Sequence, residues 1–255
     1  HAVKQQFIEH ITEKGLQHHG ENAAGQGGKQ DVPQVIDTVQ TSTKAEAATF
    51  SNIGLYAYQV PAANYNSNVY VPTTEGVTVF MDNMCLKSDG SYSGDDKYWP
   101  GSSALLQFYA YYPYHNPKTD GKLAVQDAPD SQVPGLTITT TGNKPVFSYT
   151  VPTDPLKQTD LMDGGSSLIN GALTDQVQIS LSHLLSQIEV RAGALEVGMI
   201  NSISFKNIYN KGDRIVALPT EQGWNVITSD ANKVDYVQAL NKDINDQDSP
   251  VVKDD

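Results

Sequence analysis

The chain has 255 residues, with 17 Lys and Arg against 29 Asp and Glu and a formal net charge of −12. Its only arginines are Arg191 and Arg214, and no basic cluster occurs, so it lacks the surface that tracks a phosphate backbone; nucleic acid is not the expected partner. Cys85 is the sole cysteine, which excludes an intrachain disulfide, and no apolar run approaches the roughly 20 residues of a membrane-spanning helix.

The chain opens on HAVKQQFIEH, without Met or an apolar leader, and is expected to be a processed product whose export signal is gone. Val3, Phe7, Ile8 and Ile11 are spaced as one stripe of a short amphipathic helix over residues 1–14. Gly20 to Asp31, GENAAGQGGKQD, has the composition of a flexible linker. Residues 1–31 therefore read as an arm.

From Val32 the pattern changes to short β-type runs divided by turn clusters such as SDGSYSGDD and NPKTDGK. IGLYAYQV places Ile53, Leu55 and Ala57 on one face and Tyr56, Tyr58 and Val60 on the other, which predicts a strand buried on both sides. VTVFM, ALLQFYAYYP, GLTITTT, VFSYTVP, SISFKNIYN, RIVALP and WNVIT continue the series. LSHLLSQIEV fits a helix or a strand; the alternation of Ile179, Leu181, His183 and Leu185 favours the strand. No repeat of 20–50 residues is present. The expected architecture is mainly β, a sandwich of many short strands. From Asn241 to Asp255 the chain reads as an acidic, solvated tail.

Tyr98 to Asn116, YWPGSSALLQFYAYYPYHN, concentrates aromatic rings in a chain that is only 8% aromatic. Leu106, Phe108, Ala110 and Tyr112 share one strand face, and Gln107, Tyr109 and Tyr111 the other. The favoured reading is a core strand with tyrosines in a second layer. A sugar-binding platform is the rival.

These residues resemble the fimbrillin family of fimbrial subunits. Phe50 to Val60 (FSNIGLYAYQV) and Phe80 to Pro113, with its YWP turn and LQFYAYYP strand, are similar to the family's early strands. FSYTVPTDPLKQTDLMDG from Phe147, VQISLSHLLSQIEVRA from Val177 and INSISFKNIYNKGD from Ile200 resemble later family segments in the right order. The resemblance implies transthyretin-like, Greek-key β-sandwich domains, with a complete N-terminal domain at 32–196 and a shorter second one at 197–240. It also implies export to the cell surface as a lipoprotein precursor anchored at the outer membrane.

Assembly would be by strand exchange. A protease removes a leading strand after a basic residue, and a strand from another subunit fills the groove. Here the processing residue would be Lys44, where the family uses arginine, and the exchangeable strand would carry Val35, Ile36, Val39 and Thr41. Ile53, Leu55, Ala57, Ile179, Leu181 and Leu185 would line the groove. The implied partners are other fimbrial subunits, in a homo- or hetero-polymer, and host or bacterial surface ligands; the membrane is met only through a removed lipid anchor. The alternative is a monomeric glycan-binding module using Tyr109, Tyr111, Tyr114 and Trp224 as exposed stacking rings.

Enzymatic and cofactor chemistry find little support. His1, His10, His18 and His19 lack carboxylate or Cys partners at ligand spacing. His183 reads as a core-edge histidine hydrogen-bonded to backbone, and Ser182 and Ser186 beside it sit in no G-x-S-x-G elbow. Asp243, Asn245 and Asp248 lack the Gly and Glu of a calcium loop, Asp89 to Asp96 reads as a turn, and GQGGK is no P-loop. Trp99 is expected to pack within its turn, and Cys85 to be a small buried hydrophobe. No cofactor or metal is expected, and the protein reads as a structural or adhesive subunit, not an enzyme.

Overall fold

The computed structural model describes residues 11–13, 50–65, 71–98, 100, 104–166, 168–170, 177, 179–186, 188, 198–216 and 223–244, with backbone alone for 11–13, 198 and 241–244. The arm beyond Ile11–Glu13, Trp99 and the last residues of the acidic tail lie outside this set. The first seven strands are β1 (Ile11–Glu13), β2 (Ile53–Pro61), β3 (Thr78–Leu86), β4 (Ala104–Tyr112), β5 (Lys118–Thr119), β6 (Lys122–Leu123) and β7 (Leu136–Thr141). The rest are β8 (Lys144–Thr150), β9 (Met162–Gly165), β10 (Ile179–His183), β11 (Gly198–Tyr209), β12 (Lys211–Ile215), β13 (Asn225–Val226) and β14 (Lys233–Ile244).

A six-stranded sheet runs β1-β10-β9-β4-β2-β3 and a four-stranded sheet β13-β12-β8-β7. β2 lies between β3 and β4, antiparallel to both, so no edge of it reaches solvent. Its residues from Ile53 to Tyr58 are all buried, as its two apolar faces predict. Gly54 stands opposite Tyr111 on β4. A Cβ at Gly54 would lie 1.8 Å from the Tyr111 ring, so only glycine leaves the tyrosine room to lie across β2.

Alternation along β2 and β4 sorts side chains into two cores on opposite faces of the six-stranded sheet. Leu55, Ala57, Leu106, Phe108 and Ala110 belong to a hydrocarbon cluster that also takes in Met81, Met162, Ile179 and Leu181. Tyr56, Tyr58, Tyr109 and Tyr111 face the other way and pack against Phe147, Tyr149, Leu136 and Val216 from the four-stranded sheet and its ends. The tyrosines are thus the filling between the two sheets, a second layer as the strand pattern predicts.

That filling is polar at chosen points. Tyr111 Oη donates to Asn83 Oδ1 at 2.6 Å and accepts from the His115 N–H at 3.1 Å. Tyr58 Oη donates to Asn143 O at 2.7 Å, pinning the β7–β8 turn to the six-stranded sheet. Arg214 on β12 reaches Asp163 on β9 through two parallel contacts, Nε to Oδ2 at 2.9 Å and Nη2 to Oδ1 at 3.0 Å, both residues being buried. Such a fork is the geometry that makes a buried guanidinium–carboxylate pair tolerable.

Three findings revise the sequence reading. β12 and β13, placed in a second domain at 197–240, are hydrogen-bonded into the first sandwich: Arg214 pairs with Phe147 and Gly212 with Tyr149. What remains of that segment is a two-stranded antiparallel ribbon, β11 with β14, interrupted by two register shifts. Period-2 alternation identifies a strand but not its neighbour, which is why the division at 196/197 failed to separate these elements. β14 continues to Ile244, four residues into the stretch read as tail. Ile11–Glu13, expected on a helix, is a strand parallel to Ile179–Leu181; with only three residues, its conformation follows its partner more than its own spacing.

Candidate assembly surface

The hydrocarbon face of the six-stranded sheet is built from strands whose alternate residues are aliphatic. Ile53 is 3% exposed, while Leu55, Ala57, Ile179 and Leu181 are fully buried, and all five belong to one cluster. These are five of the six residues expected to line a groove. Tyr92, Ile169 and Val177 are further buried members, and the partly buried Phe50, Phe80 and Tyr112 pack against the cluster. No side chain within this cluster carries a charge.

Leu185 does not join them. It is half-buried and packs with the tyrosine-lined core beside Leu184 and Trp224. β10 ends at His183, so the alternation that would have carried Leu185 onto the same face stops before it. Val35, Ile36, Val39, Thr41 and Lys44 lie outside the described residues.

β10 is held by few backbone pairs on either side. On one side it pairs with β9 through Ser182↔Asp163 and His183↔Met162. On the other, its partner is β1, Ile11–Glu13, in parallel register and far away along the chain. Parallel pairs are slightly weaker per residue than antiparallel ones, and closing so long a loop costs entropy that three residues of ladder do little to offset. Gly164 lets β10 approach closely, since a Cβ there would meet Ser180 O at 1.9 Å.

His183, expected at the edge of the core, stands exposed at the last position of β10, its Nδ1 2.7 Å from Asp160 Oδ2. Among the described residues, no group of three or more His, Cys, Asp and Glu is placed to hold a metal. Cys85 is fully buried, and burial pushes its thiol up to about 11, which leaves it a protonated, inert hydrophobe at neutral pH.

The rings nominated for sugar stacking are buried. Tyr109 is 3% exposed, and Tyr111 and Tyr114 are fully buried. Trp224 is half-buried against Tyr149 and its Nε1–H donates to Leu184 O at 2.8 Å. A stacking platform needs open ring faces, so these four residues do not form one. Burial also raises the Tyr56 and Tyr111 hydroxyls well above their ordinary range, which fits structural hydrogen bonding and not acid–base work.

Sequence reasoning missed the Arg214–Asp163 pair, the His183–Asp160 pair and the parallel strand at Ile11. The first had a signal: one of only two arginines sits within an otherwise alternating strand, KGDRIVA, where an unpaired charge would not be tolerated. The other two depend on long-range placement and left no local trace.

A protein-family model described as fimbrillin-like matches residues 41–248 of the chain. No curated protein and no solved structure matches it.

Proposed function

The chain belongs to the fimbrillin-like family, a family of structural subunits of surface fimbriae, and from that premise we propose that its copies join by exchanging a β-strand at the outer edge of β10. The observation that carries the proposal is the position of that edge. β10 brings Ile179 and Leu181 into the hydrocarbon face, yet among the described residues its outer side is paired by three from the N-terminal arm.

An incoming strand would satisfy the backbone groups of β10 and extend the hydrocarbon face by setting alternate side chains beside Ile179 and Leu181, as in donor-strand complementation of pilins. Covering ~400–600 Å² of apolar area would contribute on the order of 10–15 kcal/mol before ordering costs. A link of that size holds subunits together without a covalent bond. The resident strand would leave after cleavage in the arm, with Lys44 as the processing residue and the segment of Val35, Ile36, Val39 and Thr41 released along with Ile11–Glu13. Export as a lipoprotein, with an outer-membrane anchor removed on maturation, completes the reading. The partners are other fimbrial subunits and whatever surface ligand the fimbria meets.

The test is a comparison of intact protein with protein clipped by a lysine-specific protease, each incubated at high concentration and run on a denaturing gel without boiling. The expected result is a ladder from the clipped sample that collapses on boiling. Clipped protein that stays monomeric at every concentration would overturn the proposal.

A further inference from the structure

β7 closes the four-stranded sheet and has no strand on its outer side among the described residues. The other described edges are short or blunted: β1, β5, β6 and β13 have only two or three residues each, β3 carries Asp82, and the β11–β14 ribbon bears Lys206 and Asp235 with two register shifts. β7, LTITTT, has no charge, proline or bulge, and from Val133 to Asn143 the chain carries no charged residue. Thr137, Thr139, Thr140 and Thr141 are all exposed, so no described residue covers this edge.

The ladder tells which backbone groups are free. Thr141 pairs with Lys144 across a two-residue turn, and the Thr150 N–H donates to Gly135 O, so the odd-numbered residues of β7 bond to β8. The N–H and C=O of Ile138 and Thr140 therefore point outward. The Leu136 N–H is already committed to Val133 O. The hairpin is held rigid by Tyr58 at Asn143.

We infer that β7 is a self-pairing edge, where a second copy of this chain adds its own β7 antiparallel about a two-fold axis at Thr139. Only that register uses all four free groups, Ile138 pairing with Thr140 of the partner copy and Thr140 with Ile138. It sets Thr139 opposite its own counterpart and Thr137 opposite Thr141, so the outer face becomes an unbroken row of threonines. In a chain of net charge −12, this neutral strip is where two copies meet with least repulsion. The buried area of one six-residue strip, on the order of 500 Å², is far below the ~1,600 Å² of a stable interface. Single subunits therefore meet only transiently, whereas a polymer presenting the strip at every subunit binds its neighbour laterally through many weak contacts. The pairing of two free subunits does not depend on strand exchange at β10.

Register-specific cross-linking tests it on the unassembled protein with Cys85→Ala as background. Across such a non-hydrogen-bonded pair the Cα atoms lie about 4.5 Å apart, within disulfide range. Thr139→Cys is expected to form a disulfide-linked dimer at least tenfold faster than Thr137→Cys or Thr141→Cys alone, while a mixture of the latter two recovers the fast rate. Equal rates at the three positions, or no gain on mixing, would overturn the inference. Circular dichroism melts of each variant confirm that the compared proteins are folded.

Discussion

The two faces of the six-stranded sheet are buried to the same degree by different physics. Between the sheets, tyrosines carry hydroxyls that must be matched, and Asn83, His115, Asn143 and the Asp163–Arg214 fork match them or share their layer. On the far face lie Leu55, Ala57, Phe108, Ala110, Ile179 and Leu181, which have no directional requirement. Hydrogen bonds fix one arrangement because each unmatched buried group is penalised, whereas apolar burial depends mainly on area and tolerates a change of covering chain. The tyrosine face is thus suited to hold one sandwich together permanently; under the proposed strand exchange, the hydrocarbon face is the one extended at its β10 edge by an interchangeable strand.

Mutations should separate the two faces. The largest effect is expected from Asp163→Ala, which removes the carboxylate fork from the buried Arg214 guanidinium and should lower unfolding free energy by about 3–5 kcal/mol in denaturant titration. Asp163 with Arg214 both replaced by apolar residues of similar volume should recover much of that loss. Tyr111→Phe removes one hydroxyl and leaves Asn83 Oδ1 and the His115 N–H unmatched, a loss of about 1–3 kcal/mol by the same assay. Leu181→Met, a volume-conserving swap on the hydrocarbon face, should cost less than about 1.5 kcal/mol and leave assembly intact. If Leu181→Met proves as damaging as Asp163→Ala, the contrast between the faces is lost.

The smallest effect concerns pH. His115 is buried and its Nδ1 accepts the Val133 N–H at 3.0 Å, so folding favours the neutral ring, and burial lowers its pKa from the ordinary 6.5. In the window between the lowered folded value and 6.5 the unfolded chain binds more protons, so stability rises with pH there. The contribution is complete above about 6.5 and is lost as pH falls through the folded value. Unfolding measured across acidic pH should show a slope for the wild type that flattens in His115→Gln.

Much of the sandwich was legible because it is written in local alternation. Leu106, Phe108 and Ala110 against Tyr109 and Tyr111 assign two faces to β4 by residue type alone, and the same rule chose a strand for Ile179 to His183. Five of the expected groove residues fall on one face for that reason. What alternation cannot give is which strand lies beside which. β12 reads as a strand, but its return to β8 is fixed by Arg214 meeting Asp163 across the layers, a contact 51 positions apart. The stripe of Val3, Phe7, Ile8 and Ile11 pointed to a helix, while a three-residue match to β10 makes Ile11–Glu13 a strand. Tyrosine suits an open platform and a packed layer equally, so exposure of Tyr109, Tyr111 and Tyr114 could be decided only by the sheet above them.

Hydrogen exchange resolved by residue tests the central claim most directly, by following the Ile179–Leu181 amides in free subunits and in polymer. The account predicts that in the free subunit these amides exchange well before those of β2 and β4, and become as slow as them once subunits join, with the tyrosine layer unchanged. Equal protection of β10 and β4 in the free subunit, unaltered by assembly, would contradict it.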